Sequence, residues 1–450
     1  MRHMLGSTFL GLSLVLAAPA FAADPQPTSN YLIQINGAGA GDLSSQVTAA
    51  GGTLLWAHPE LGYAAANSTD PNFAGKLKQA GVQQVDQDLA AQWVPTAQQA
   101  GLQQVNSEAV NQAAAAPTGS FFYSCQWSLP KIDAPGAWAK GDLGSGIKVA
   151  VLDTGVDPFH SDLVGKVDTA NSTSMLTPGS SPCGAFDEGT IYDLDFHGSF
   201  VSGLITTNNR GTTGVAPNAQ IVAVKVLNCN GQGSFSDIIN GIYYAASLPD
   251  VQIINMSLGA GFAKNLKGAG PLVAALNKAV NYAGSQGKLV VTAAGNSGVD
   301  MDKDGNVTWV PAQSGNGLAA YATDNHDGLT SYSNHGISGT WVGAPGGDFP
   351  NTAAPLPGCV FPASLQGLIV SVCSSFVCGG NNFYVVGDGT SFSSPIVAGV
   401  AALVDGKHAG TLDHGQLKTI LSQSAVDLGK TGTDNLFSHG RVNASAAVDH

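Results

Sequence analysis

The sequence has little charge. Only 11% of its 450 residues are Asp, Glu, Lys or Arg, and Lys and Arg together number 18. With a net charge of −13 at pH 7, it lacks the basic face that a nucleic-acid partner needs, which argues against that class of ligand. Cysteine is missing from the first 124 residues; the six present are Cys125, Cys183, Cys229, Cys359, Cys373 and Cys378. They form no paired Cys-x-x-Cys units, so a zinc site is not expected. Beyond the N-terminal leader no apolar run reaches 18 residues, so no membrane span is expected in the mature chain. No internal repeat is visible.

What is present is a chain 44% apolar with 58 glycines, enough to bury a sizeable core joined by many tight turns. Its length suggests two or three domains. Arg2 and His3 precede an apolar run over residues 5–16, and Pro19 precedes Ala20-Phe21-Ala22. This reads as a signal peptide, residues 1–22, with an A-x-A cleavage site. Export follows, to the periplasm or the extracellular medium, and an exported chain with an even cysteine count reads as disulfide-bonded.

Residues 23–94 read as a small unit in the order β-α-β-β-α-β, with a strand over 31–35, a helix over 43–50 capped by Asp42, strands over 53–57 and 62–66, a helix from Asp70-Pro71 to Leu77 and a strand over 82–85. About seventy residues is a marginal size for a domain on its own. Residues 95–119 are rich in Gln and Ala without an apolar period and read as a linker. From 120 to 450, strands (147–152, 220–227, 252–255, 288–292) alternate with helices (237–246, 271–285). That alternation predicts an α/β fold with a mostly parallel sheet flanked by helices.

Four segments carry chemistry. Asp153-Thr154-Gly155 follows a buried-type strand, where an open α/β sheet gathers reactive groups; an Asp there is also often structural. His197-Gly198-Ser199 opens a small-residue helix, and Gly198 allows another chain to approach closely. Gly389-Thr390-Ser391 runs into an apolar helix with Pro395 in its first turn, so Ser391 would sit where free N–H groups favour negative charge. Alone, Ser391 could be a helix cap. Asn296, on a Gly-rich turn after a strand, can donate to an oxyanion.

Together these segments, with Gly214-Val-Ala-Pro217, Ala223-Val-Lys-Val-Leu227 and Ile254-Asn-Met-Ser-Leu-Gly259, resemble the subtilisin-like serine proteases, the subtilase family, in the chain order Asp, His, Ser. The resemblance runs from about Trp127 to the C-terminus. It implies a secreted, monomeric serine endopeptidase of broad specificity acting on proteins and peptides through an acyl-enzyme, with no cofactor for the chemistry. It implies Ser391 as nucleophile, His197 as general base and acid, Asp153 as its orienting partner and Asn296 as an oxyanion donor. Ser257, Leu258 and Gly259, with Gly231 and Gly233, would pair with an extended substrate strand. The 23–94 unit resembles the family's ferredoxin-like propeptide, an intramolecular chaperone and inhibitor, which makes the 95–119 linker the place for maturation and 120–450 the peptidase domain. Two other outcomes share this scaffold, an inactive subtilase serving as a binding module and a peptide ligase.

The chain departs from the family at Phe200, where a second His is usual, and at Phe392, where Met is frequent. The 206–214 loop is short for the family's calcium site, though Asp162 matches one of its ligands. Asp300, Asp302 and Asp304 have calcium-loop spacing without the closing Glu, so calcium as a structural ion is a weaker expectation than a solvated acidic turn. No carboxylate is evident near Ser297 to select a basic residue before the scissile bond, which favours an apolar residue there. On the resemblance, Cys183 and Cys229 border one cleft and would pair, Cys373 and Cys378 would close a local loop, and Cys125 would be left for Cys359.

Overall fold

The computed structural model describes residues 28–35, 42–96, 102–105, 110, 112–349 and 355–450. The leader read as a signal peptide lies outside these residues, as do parts of the linker. Among the described residues no helix is long and apolar enough to cross a membrane.

Residues Lys148–Asp153 and Gln220–Lys225 lie side by side in a seven-stranded sheet. Its order is Val342–Pro345, Leu318–Thr323, Leu289–Ala293, Ile253–Met256, Lys148–Asp153, Gln220–Lys225, Thr173–Ser174, and every neighbouring pair is parallel. The strands are apolar without a break because both faces are covered. Val149 and Val151 face one core with Ile221, Ala223, Ile253 and Val291. Ala150 and Leu152 face the other with Val222, Val224 and Ile254. Helices His197–Ile205 and Thr390–Lys407 cover the first face, and helices Phe235–Ser247 and Ala269–Ser285 the second. The expected α/β architecture is what forms.

The N-terminal unit has strands Ser29–Gln34, Gly52–His58, Tyr63–Ser68 and Gln84–Gln87 with helices Leu43–Ala49 and Phe73–Gln79. All its strand pairs are antiparallel. Tyr31 and Ile33 face its own core with Val47, Phe73 and Leu77. Leu32 and Leu61 instead join the core of the larger domain beside helices 235–247 and 269–285. Asp42 stands at the first helix's N-cap, yet its side chain makes no capping bond because its backbone is already helical. Two further expectations change. The Ser391 helix begins at Thr390, so Pro395 falls inside it rather than in its first turn. Part of the linker is ordered by pairing: Gln103–Val105 adds an antiparallel strand to Tyr384–Gly387, using backbone bonds that need no apolar period.

Three disulfides form, Cys125–Cys359, Cys183–Cys229 and Cys373–Cys378, the pairs expected. Such bridges persist in oxidising compartments.

Candidate active site

The parallel strands bring several candidate residues to one edge because these follow, or sit at, a strand's carboxyl end. Asp153 ends its strand. Ser257 follows Ile253–Met256, Asn296 follows Leu289–Ala293, and the Gly231 turn follows Gln220–Lys225. His197 and Ser391 sit at the first turns of the two helices on the same face.

Asp153 and His197 are both fully buried, and His197 Nδ1 lies 2.8 Å from Asp153 Oδ1. His197 Nε2 has no hydrogen-bond partner among the described residues. Burial alone would lower the His197 pKa, but the charges of Asp153, Asp195 and Asp193 and the bond to Asp153 outweigh it and hold the imidazolium above its ordinary range. The helix approaches so closely that a Cβ on Gly198 would stand 1.9 Å from the Gly155 carbonyl, so only glycine fits there.

Sequence reading missed what holds His197. The fully buried Asp193 carboxylate accepts from Thr154 Oγ1 (2.9 Å) and from the backbone N–H groups of Asp195 (3.0 Å), Phe196 (2.9 Å) and Ser199 (2.8 Å). It ties the segment on both sides of His197 and keeps Phe196 at φ 132°, a conformation rare for a residue with a side chain. Asp195 accepts from the His197 N–H at 3.3 Å; burial, then Asp193, push its pKa up to about 7. Two carboxylates just before a histidine were the available signal.

Ser391 is 3% exposed and lines a cavity of about 400 Å³ with Asn296, Ser297, Trp309, Tyr332 and Asp388. The Asn296 side-chain oxygen accepts from Thr390 N (2.9 Å) and Thr390 Oγ1 (2.7 Å), which leaves its amide hydrogens to the cavity. Asp388 corrects the expectation that no carboxylate stands near Ser297: it arrives from 91 residues further along the chain, and burial, with Asp348 adding, pushes its pKa up to about 6. The Trp309 indole is fixed by its N–H to Asp304 at 3.1 Å.

The two family departures meet. Phe200 and Phe392 stack with ring centroids 4.1 Å apart, both fully buried, and so pack the His197 helix onto the Ser391 helix. A His at one and a Met at the other would make a different contact.

The cleft is filled by the chain's own residues 90–95. Ala90–Gln92 pairs antiparallel with Gln232–Ser234, with Ala91 opposite Gly233. Trp93 N–H donates to the Gly231 carbonyl at 3.1 Å, and Gly259 N–H donates to the Trp93 carbonyl at 2.9 Å. Pro95 reaches the Ser391 cavity. Leu258 is in the core beneath Trp93. Ser257 turns inward, its hydroxyl 2.7 Å from that of Ser394.

The calcium expectations do not fit the donors present. Asp302 accepts from Ile337 N, Ser338 N and Asn435 Nδ2, Asp300 pairs with Lys303, and Asp304 holds Trp309. Asp162 accepts from Arg210 N (2.7 Å), Gly211 N (2.9 Å), Thr212 N (3.1 Å) and Tyr384 OH (2.8 Å). A calcium ion needs oxygen acceptors around it, whereas these carboxylates face donors. Among the described residues no three His, Cys, Asp or Glu side chains converge as a metal set.

Residues 144–440 match the model of the subtilase family, Peptidase_S8. The chain is 36% identical over 327 residues to the alkaline protease of Alkalihalobacillus alcalophilus, covering 72% of this chain and 70% of that one. It is 35% identical over 327 residues to subtilisin Savinase of Lederbergia lenta, covering 72% and 99%. For thermitase of Thermoactinomyces vulgaris the figures are 33% over 336 residues, 74% and 99%. Among solved structures, the epidermin leader peptide processing serine protease of Staphylococcus aureus shares the fold, with a TM-score of 0.75 at 23% identity over 94% of this chain and 98% of that one. The chain belongs to the subtilase family and is a serine endopeptidase of the subtilisin-like type.

Proposed function

We propose that the enzyme cuts internal peptide bonds with Ser391, His197 and Asp153 as its triad and Asn296 as an oxyanion donor. The observation that carries this reading is the fully buried 2.8 Å Asp153–His197 bond, which leaves His197 Nε2 unpaired. Nε2 takes the Ser391 Oγ proton as Oγ attacks the carbonyl carbon of the substrate. The amide hydrogens of Asn296 and the Ser391 backbone N–H, at the start of its helix, stabilise the tetrahedral oxyanion. His197 returns the proton to the leaving amine as the C–N bond breaks. Water, deprotonated by the same nitrogen, then releases the acyl group and restores Ser391. Asp153 holds His197 through Nδ1 and balances the imidazolium.

Residues 23–94 act as a propeptide that inhibits the enzyme until maturation. The pairing of residues 90–93 with Gly231, Gly233 and Gly259 supports this, since a substrate would use the same backbone groups. The mature enzyme is secreted, periplasmic or extracellular, and works as a monomer on protein and peptide chains.

The Ser391→Ala protein should lose turnover by about 10⁶-fold, as measured for the equivalent loss in subtilisin, and should keep its N-terminal unit attached. Casein hydrolysis and mass spectrometry of the purified protein read both. A Ser391→Ala protein that matures unaided and cuts casein would falsify the triad.

A further inference from the structure

Trp93 is the large aromatic of its stretch, Ala-Ala-Gln-Trp-Val-Pro, and it is 2% exposed. Its indole lies edge-on to Phe235, with ring centroids 5.2 Å apart and planes at 77°, and tilted against Phe262 at 5.8 Å. Phe235 and Phe262 themselves pack at 5.0 Å. The three rings make a box whose walls belong to the peptidase domain and whose filling belongs to the strand in the cleft.

One contact in the box is polar. The indole Nε1–H donates to the Gly233 carbonyl at 2.8 Å, and the bond is buried. The same residue's backbone is held on both sides, N–H to Gly231 and carbonyl from Gly259. Trp93 is therefore fixed by two main-chain bonds, two aromatic walls and one side-chain bond. Its neighbours are held less specifically. Val94 lies over Gly231, where a Cβ would come within 2.4 Å of its Cγ2. Pro95 continues into the cavity with Asn296 and Ser391. The anchor thus lies upstream of the bond that meets Ser391.

We infer that the mature enzyme selects extended peptides with tryptophan at the Trp93 position, upstream of the cut, and that the Gly233 carbonyl reads its indole N–H. This rests on the hydrolytic reading of the cleft and adds to it a side-chain requirement upstream of the residues that meet Ser391. Once the N-terminal unit leaves, the box and the Gly233 oxygen face incoming substrate. Phenylalanine fills the walls but offers that oxygen no donor. A site built to hydrogen-bond a polar group discriminates against an isostere lacking it more sharply than it discriminates by one methylene.

The test uses enzyme matured from the full chain and fluorogenic peptides of the sequence of residues 90–99. The Trp position is varied to phenylalanine, benzothienylalanine (the same shape with sulfur in place of N–H) and alanine. Casein hydrolysis runs alongside, with the Ser391→Ala protein as blank. Tryptophan should exceed benzothienylalanine and phenylalanine in kcat/KM by about three- to tenfold and alanine by about a hundredfold. The tryptophan peptide should be cut at one bond downstream of that residue. Equal rates for tryptophan and benzothienylalanine would overturn the indole readout. Equal rates for all four peptides, with casein cut normally, would overturn the selection while leaving the hydrolytic reading intact. Failure to cut casein or any peptide would sink that reading and the inference with it.

Discussion

The N-terminal unit and the peptidase domain solve the same problem with different resources. The peptidase sheet is covered on both faces by the domain's own helices, and all three disulfides lie within it. The N-terminal sheet has a small core on one face, built around Ile33, Val47, Phe73 and Leu77, and no bridge. Its other face puts Leu32 and Leu61 against helices that belong to its neighbour. One region owns its core, and the other borrows half of one. A domain of this size buries too little surface to stand comfortably alone, so the N-terminal unit keeps its fold while docked. The larger domain has to assemble a seven-stranded parallel sheet from segments far apart in sequence, which is slow. On the proposed propeptide reading, this asymmetry would let the small unit cover helices 235–247 and 269–285 while the sheet forms; its trailing strand pairs with Gln232–Ser234 in the cleft.

Removing the small unit breaks the comparison most severely. A chain lacking residues 24–110 but keeping its leader should yield almost no active enzyme, and the separate segment added in trans should restore activity. Peptidase assays on refolded protein measure both. Full activity from the truncated chain would mean that the large domain needs no help in folding.

The next effect lies wholly inside the self-sufficient domain. Asn296→Ala should lower kcat by about 10²–10³ with little change in KM, the size seen for the corresponding subtilisin residue. The loss arises in the transition state, because the Asn296 oxygen is spent on Thr390 and only its hydrogens face the cavity. A change confined to KM would refute the oxyanion role. The refolding yield should stay that of the parent, in contrast to the truncation.

Self-sufficiency also predicts indifference to calcium. The Asp162 carboxylate is satisfied by three backbone N–H groups and the Tyr384 hydroxyl. A chelator should leave the melting temperature of the mature domain unchanged. Asp162→Asn, which turns an amide NH₂ toward those donors, should cost about 3 kcal/mol whether or not calcium is present. A melting temperature that falls with chelator and recovers with added calcium would show that an ion carries this corner after all.

Much of this was legible because the catalytic segments combine sharp local chemistry with strand ends. Asp153 and Asn296 each stand beside glycine or small residues after an apolar strand, so their convergence follows from parallel topology, while His197 and Ser391 are brought to the same edge by the helices they open. The Phe200–Phe392 stack was half legible: each residue stood out singly, but only packing joins helices almost two hundred residues apart in sequence. Asp388 beside Ser297 was hidden for the same reason. Gln103–Val105 was unreadable as a strand because its partner supplies the order. Trp93 was not singled out from sequence, because the rings that enclose it, Phe235 and Phe262, come from the distant peptidase domain.

The smallest effect concerns the borrowed face itself. His58 stacks on Tyr243 with ring centroids 3.6 Å apart, and its Nε2 lies 2.8 Å from Asn240 Oδ1. Burial lowers its pKa, against the bond to Asn240 and the charge of Glu60, which raise it. A histidine whose pKa is lower docked than free binds best when neutral. Docking is therefore strongest above its free pKa of about 6.5 and weakens as pH falls through that value toward the docked one. Asp88 and Asp237, elsewhere in the same interface, have pKa values raised by burial and pull the other way, favouring the docked state at lower pH. Replacing His58 alone separates the two. The isolated N-terminal unit should inhibit the mature enzyme several-fold more weakly at pH 5.5 than the Asp88–Asp237 trend alone allows. His58→Phe keeps the ring over Tyr243 and removes the proton, so its inhibition constant should vary with pH by that much less. Inhibition titrations of both proteins from pH 5 to 8 decide it. Parallel curves would show that the borrowed face releases the small unit without help from His58.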